Sequence, residues 1–214
     1  MRDSYRDELD ATTELIVTVA GLVRTAVQDA TTALVTADLT IAERVISGDA
    51  RIDELTKEIE QRSFQLLARQ APVAGELRTV VAVLRMSYSL DRMGDLAAHI
   101  AKIARLRYPE VAAPEPVADQ IKQMAETADS MIATAITTLE NRDAEAAAGL
   151  ATADSKMDEL RSDQFHLLLS DDWEYGVEKA VDTALLGRYY ERIADHAVAM
   201  GARTIYIVTG EAPE

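Results

Sequence analysis

Long stretches of helical apolar periodicity alternate with short polar interruptions, and four of the five prolines fall in the interruptions. Pro72 lies in RQAPVAGE, and Pro109, Pro114 and Pro116 lie in RYPEVAAPEP. Proline inside a helix removes a backbone hydrogen bond and clashes with the preceding turn. The stretches between are therefore read as six helices, at roughly 5–36, 39–69, 74–107, 116–140, 144–169 and 175–209. Asp38 and Asp143 are placed as N-caps of the second and fifth, and Pro116 suits a first helical turn. At helical spacing, Ile41, Val45, Ile52 and Ile59 form an apolar stripe on the second helix. Leu77, Val80, Val81, Leu84 and Tyr88 are predicted to face inward on the third, and Val177, Val181, Ala184 and Val198 on the sixth.

The two halves repeat. DLTIAERVISGDARIDEL (38–55) aligns with DAEAAAGLATADSKMDEL (143–160) at an offset of 105, and LDRMGD (90–95) aligns with YERIAD (190–195) at an offset of 100. The drop reflects a shorter second interhelix turn. The predicted fold is all-α, with two tandem, pseudo-symmetric, antiparallel three-helix bundles side by side. The first repeat is 1–107, the linker 108–115 and the second repeat 116–214.

Composition agrees with long helices: 48% hydrophobic, 5% aromatic, 9 glycines and 5 prolines. A net charge of −15 argues against nucleic acid or an anionic lipid surface as partner and favours cations. With no cysteine there is no disulfide, thiolate metal site or thiol nucleophile. The N-terminus carries no apolar signal region. The longest apolar run, LIVTVAGLV, is far short of the ~18 residues a membrane span needs. A cytoplasmic protein without membrane insertion is expected. No Gly-rich elbow and no Ser–His–Asp set supports nucleophilic hydrolysis, and the reading is non-enzymatic.

Candidate chemistry lies in the repeated acid pairs. An acid four residues before an Asp is a weak signal alone, since about six such pairs arise by chance in a chain with this many acids. ELRSD (159–163) and EKAVD (178–182) are assigned to that background. The pairs Asp91/Asp95 and Glu191/Asp195 differ, because they continue the apolar stripes of their helices. They also share level with acids on the preceding helix. Around the turn at Pro72, Asp49 with Asp95 and Asp53 with Asp91 both sum to 144. In the second half, Asp154 with Asp195 and Asp158 with Glu191 both sum to 349. Four carboxylates are thus predicted at one level of each bundle, in a nearly dry seam. Gly48, Gly94, Ala153 and Ala194 would allow close helix approach. Four ionised carboxylates cannot share such a seam unless they take up protons, bind cationic side chains or hold metal. Arg92 and Arg192 supply one arginine per cluster, which leaves excess negative charge. Hard oxygen donors suit Mg, Mn, Ca or Fe, and less specifically Zn. His99 stands near enough to approach the first cluster, His196 points away from Asp195, and His166 has no evident partner. A packing or surface role is expected for all three.

These features together resemble the PhoU family of phosphate-uptake regulators, in an actinobacterial, PhoY-like form. The resemblance rests on six helices in two repeats, QAPVAGELR at 70–78, and two E/D-x-x-x-D motifs followed by apolar helix. It implies two three-helix bundles whose paired motifs bind multinuclear metal clusters of Fe, Zn, Mg or Mn. The ligands would be Asp49, Asp53, Asp91 and Asp95 at one site, and Asp154, Asp158, Glu191 and Asp195 at the other. Asp91 stands where Glu is commoner. The resemblance further implies a negative regulator of the phosphate-starvation response. Such a protein links the phosphate ABC transporter, through its ATPase subunit, to a membrane sensor histidine kinase, peripheral to membrane complexes, with a homodimer expected. Two other readings are weighed: a helical scaffold whose acid clusters hold no metal, and a carboxylate-bridged di-iron protein. The second typically needs a Glu-x-x-His on each of two helices, a motif absent here.

Overall fold

The computed structural model describes residues 2–70 and 72–212. It contains six α-helices and, among the described residues, no strand: α1 (Arg2–Thr36), α2 (Leu39–Gln70), α3 (Ala74–Arg107), α4 (Glu115–Asn141), α5 (Ala144–Leu168) and α6 (Gly176–Thr209). The predicted boundaries hold to within a few residues. Capping sets two of the starts. The Asp38 carboxylate accepts from Ile41 N–H at 2.9 Å, and Asp143 accepts from Ala146 N–H at 2.9 Å. Each satisfies an amide that the first turn leaves without a partner. Pro114 caps α4, and the next proline falls within its first two positions, where a missing N–H costs nothing.

Helices α1, α2 and α3 pack mutually, as do α4, α5 and α6. The two bundles meet where α1 lies on α4 and α3 on α6. One hydrophobic cluster runs through both, from Ile16 and Val23 on α1 through Met93 and Ala97 on α3 to Ile121 on α4 and Tyr190 and Met200 on α6. Polar links cross the same boundary. Arg24 grips Asp129 with two bonds of 2.7 and 2.8 Å, and Gln28 donates to the same carboxylate. Arg107 grips Asp182 at 2.5 and 3.1 Å and also reaches Glu178. The buried Tyr190 hydroxyl shares a 2.7 Å hydrogen bond with Thr31 of α1.

The α2 stripe is as predicted, with Val45, Ile52 and Ile59 buried. The inward stripes assigned to α3 and α6 are not. Tyr88 is 59% exposed and Val177 80%, and Leu77, Val81 and Val181 are exposed as well. Val80 is buried as predicted, but the rest of the buried face is Val83, Met86, Leu90, Met93 and Ala97 on α3, and on α6 it is Leu186, Tyr190, Ile193, Ala194, Ala197 and Met200. The reason is that α3 packs on α1, α2 and α6 at once, and α6 on α3, α4 and α5. Apolar residues occupy nearly the whole circumference of each helix, so periodicity offers several stripes and does not say which faces out.

Candidate functional site

The hairpin register of α2 and α3 sets Asp49 beside Asp95 and Asp53 beside Asp91, along the flank of α3 that carries Tyr88. Gly94 keeps the two helices close, since a Cβ there would stand 3.0 Å from Asp49 Oδ1 and 3.2 Å from Ile52. Gly48 has open space around it and plays no such part. Asp49 Oδ1 is buried and has no hydrogen-bond partner. Burial, reinforced by the charges of Asp95 and Asp53, pushes the Asp49 carboxyl up to about 6. Burial also raises Asp91, against the pull of Arg92. Arg92 lies 2.8 Å from Asp95 and 3.3 Å from Asp91, Thr56 donates to Asp91 at 3.4 Å, and Lys57 stands 4.0 Å from Asp53.

The second cluster repeats the first between α5 and α6. Asp154 Oδ1 is again buried without a partner. Burial raises its carboxyl, followed by the charges of Asp158, Asp195 and Glu191. Burial and then Glu191 raise Asp195. Around these acids lie more cations than the single arginine expected. Arg188 bonds Glu191 at 2.5 Å, Arg161 approaches it at 3.6 Å, and Arg192 stands 4.0 Å from Asp195. By the repeat offsets, Arg161 and Arg188 occupy the places of Thr56 and Tyr88 in the first half. At the first cluster Arg92 and Lys57 are joined by the Lys102 charge, which acts on Asp49, so the two clusters have equal numbers of cations about them.

The seam is half open, not dry. Side-chain exposure is 40% for Asp95 and 44% for Asp195, against 17% for Glu191. Among the described residues no three acid or histidine side chains draw together tightly enough to hold a metal ion. Arg92 pairs with Asp95, Arg188 with Glu191 and Arg192 with Asp195. The donor chemistry nonetheless suits a hard cation. Each cluster gathers four carboxylates, one of them presenting a buried oxygen with no proton donor, and mutual repulsion raises the affinity of the group for positive charge.

The histidines stand outside both clusters. His99 stacks on Tyr189 of α6, with centroids 5.4 Å apart. His196 has a buried Nε2 without a partner, and burial with Arg192 and Arg92 nearby pushes its pKa down to about 4. His166 lies exposed in the last turn of α5. EKAVD, assigned to background, supplies the clamp on Arg107, with Asp182 only 5% exposed. Its signal in sequence would have been a partner at the far end of α3, visible only once α3 and α6 are known to lie side by side.

A paired three-helix scaffold carrying one carboxylate cluster per repeat defines the class of this protein. The sequence matches the PhoU domain over residues 16–104 and 121–204, and the chain belongs to the PhoU family. It is 42% identical to the phosphate-specific transport system accessory protein PhoU homolog 2 of Mycobacterium tuberculosis, over 100% of both chains. Its fold matches the crystal structure of PhoU from Pseudomonas aeruginosa with a TM-score of 0.91, at 26% identity, over 97% of this chain and 100% of that one. It also matches the phosphate transport system regulatory protein PhoU from Streptococcus pneumoniae with a TM-score of 0.89, at 26% identity, over 98% and 99%.

Proposed function

We propose that this protein is an accessory regulator of phosphate transport that restrains the phosphate-starvation response when phosphate is plentiful. It works as a cytoplasmic, non-enzymatic adaptor between the phosphate ABC transporter and a sensor histidine kinase, and as a homodimer. Family membership over both repeats carries this reading. No helix among the described residues is long and apolar enough to cross a membrane, so association with membrane complexes would run through the helical surface. Exposed apolar residues on that surface, Leu77, Val81 and Tyr88 on α3 and Val177 and Val181 on α6, offer contact area for protein partners.

The carboxylate clusters are read as divalent or trivalent metal sites, for Fe, Zn, Mg or Mn. Asp49, Asp53, Asp91 and Asp95 serve the first, and Asp154, Asp158, Glu191 and Asp195 the second. Support comes from the paired register and the unpartnered oxygens of Asp49 and Asp154. A bound cation would supply the charge that the arginines only partly provide, and would draw Asp91, Asp95, Glu191 and Asp195 inward from their arginine contacts. Elemental analysis of protein purified without a histidine tag tests this. Asp91→Ala with Asp95→Ala should remove about half of the bound metal, since the second cluster keeps its own ligands. Unchanged content overturns the assignment, and wild-type protein free of metal favours an arginine-neutralised scaffold. For the regulatory role, loss of the protein should raise phosphate-scavenging gene expression in phosphate-rich medium, and unaltered expression would count against it.

A further inference from the structure

The turn between α5 and α6 leaves an apolar groove open at the end of the second bundle. Phe165, Leu168, Leu169, Trp173, Val177 and Val181 line it, around a volume of about 450 Å³. Leu169 is 83% exposed and Val177 80%, and Phe165 and Val181 are exposed too. Trp173 is fixed in the loop, its indole N–H donating to the Gly176 carbonyl at 2.9 Å and its ring tilted against Tyr175. Large apolar side chains gathered on an open surface mark a place where something binds. The first repeat carries the same kind of face. By the repeat offsets Phe64 answers to Leu169, Leu77 to Val177 and Val81 to Val181, and all six are exposed.

The rim of the groove selects its occupant. Asp171, Asp172 and Glu174 lie in the loop between Leu169 and Val177, are exposed, and have no ion pair among the described residues. The neighbouring cations are already engaged. Arg161 and Arg188 both pair with Glu191, and the Arg161 guanidinium also donates to the Ala184 carbonyl and lies over the Phe165 ring. Lys179 donates to the Val111 carbonyl at 3.0 Å and stands 3.8 Å from Glu110. The free charge beside the groove is therefore negative. The corresponding turn of the first repeat, RQAPVAG (69–75), holds no acid, so the acidic turn is peculiar to the second repeat. A second copy docked groove to groove would bring the three acids against their own images. An anionic lipid surface would be repelled, and a cationic partner attracted. From Val177 to Ala184 the groove runs about 10 Å along α6, the length of two helical turns.

We propose that this groove docks a basic amphipathic helix of a protein partner. Apolar side chains at i, i+3 or i+4 and i+7 of that helix enter between α5 and α6, and lysine or arginine on its flank meets Asp171, Asp172 and Glu174. No residue of the groove or its rim is a proposed metal ligand. The inference deepens the adaptor reading and rests on it for there being a partner.

Trp173 is the only tryptophan of the chain and lines the groove, so its fluorescence reports occupancy. The full chain is titrated with a tryptophan-free peptide of about 18 residues, long enough to hold a helix, with Leu and Phe at the anchor positions and Lys elsewhere. A twin peptide carries Glu for each Lys. The lysine peptide should shift the emission saturably and bind at least about tenfold tighter than its twin, with the difference shrinking at high salt. Leu169→Asp with Val177→Asp should weaken binding at least about tenfold by placing charge in the groove. Both side chains are exposed, so the helices should survive, which circular dichroism checks. Asp171→Asn, Asp172→Asn and Glu174→Gln together should weaken the lysine peptide about three- to tenfold and leave the twin no weaker. No shift with either peptide, equal binding of the two, or binding untouched by the double variant overturns the proposal. So does a shift produced by phosphatidylserine vesicles, which assigns the groove to lipid, or a dimer lost in the double variant, which assigns it to a second copy. None of these results alters the effect of deleting the protein on phosphate-scavenging genes, so failure here and failure of the adaptor reading are told apart.

Discussion

Asp49→Asn in metal-free protein should raise stability near neutral pH, unlike most changes at a buried polar position. The wild-type carboxyl is held at about 6 instead of 3.8 by burial and its neighbours Asp95 and Asp53. A difference of that size would be worth about 3 kcal/mol for a fully shielded group. Asp49 is half-buried, and solvent screening reduces the effect to about 1–2 kcal/mol. The sign follows from proton binding. The folded state holds this proton more tightly than the unfolded state, so wild-type stability from this group declines as pH rises from about 4 to about 6 and stays lowered above. Asparagine removes the charge and keeps the shape. Its advantage should be full above pH 6 and vanish below about pH 4, because wild type is then protonated in both states. In a thermal melt with chelator, 1–2 kcal/mol is a rise of about 2–8 °C in Tm for a chain of this size. Adding Mn²⁺ should reverse the order, because only wild type gains from binding. A variant no more stable than wild type at neutral pH without metal would refute the claim that Asp49 is an unrelieved buried charge.

Other consequences are simpler to measure. Asp182→Asn leaves the Arg107 guanidinium, with 17% side-chain exposure, short of its main partner, and should cost about 3 kcal/mol in urea denaturation. An effect under about 0.5 kcal/mol would mean that the clamp behaves as an ordinary surface pair. Gly48→Ala and Gly201→Ala should move in opposite directions. A Cβ at Gly48 meets nothing within 4 Å, whereas one at Gly201 would stand 2.6 Å from Leu150 Cδ1 and 3.1 Å from the Ala147 carbonyl oxygen. The first should gain about 0.5–1 kcal/mol from helix propensity, and the second should lose about 1–2 kcal/mol to overpacking. Melts that shift in the same direction would contradict the close approach of α5 to α6.

Much of the architecture was legible because the relevant signals are local. Prolines cannot sit inside helices, so Pro72 and the segment around Pro109 marked the turns, and Asp38 and Asp143 announced the helix starts that they cap. The duplication exposed the pseudo-symmetry. Hairpin register followed from counting back from the turns, and it set Asp49 beside Asp95 and Asp154 beside Asp195.

What the chain order could not decide is which flank of a helix meets which neighbour. Helix α3 is apolar nearly all round, so Val81 and Tyr88 looked as suitable for the interior as Val83 and Met86, and only three simultaneous packing partners select the second pair. The Arg107–Asp182 clamp and the arginines at Glu191 connect helices of different repeats or residues across a hairpin. Local patterns carry no record of such pairings. They are set when α1 docks on α4 and α3 on α6 around one shared core, because burying apolar area is indifferent to sequence separation. The sequence determined the helices, their turns and the acids that share a level, while tertiary packing decided how wet those acids are and which cations reach them.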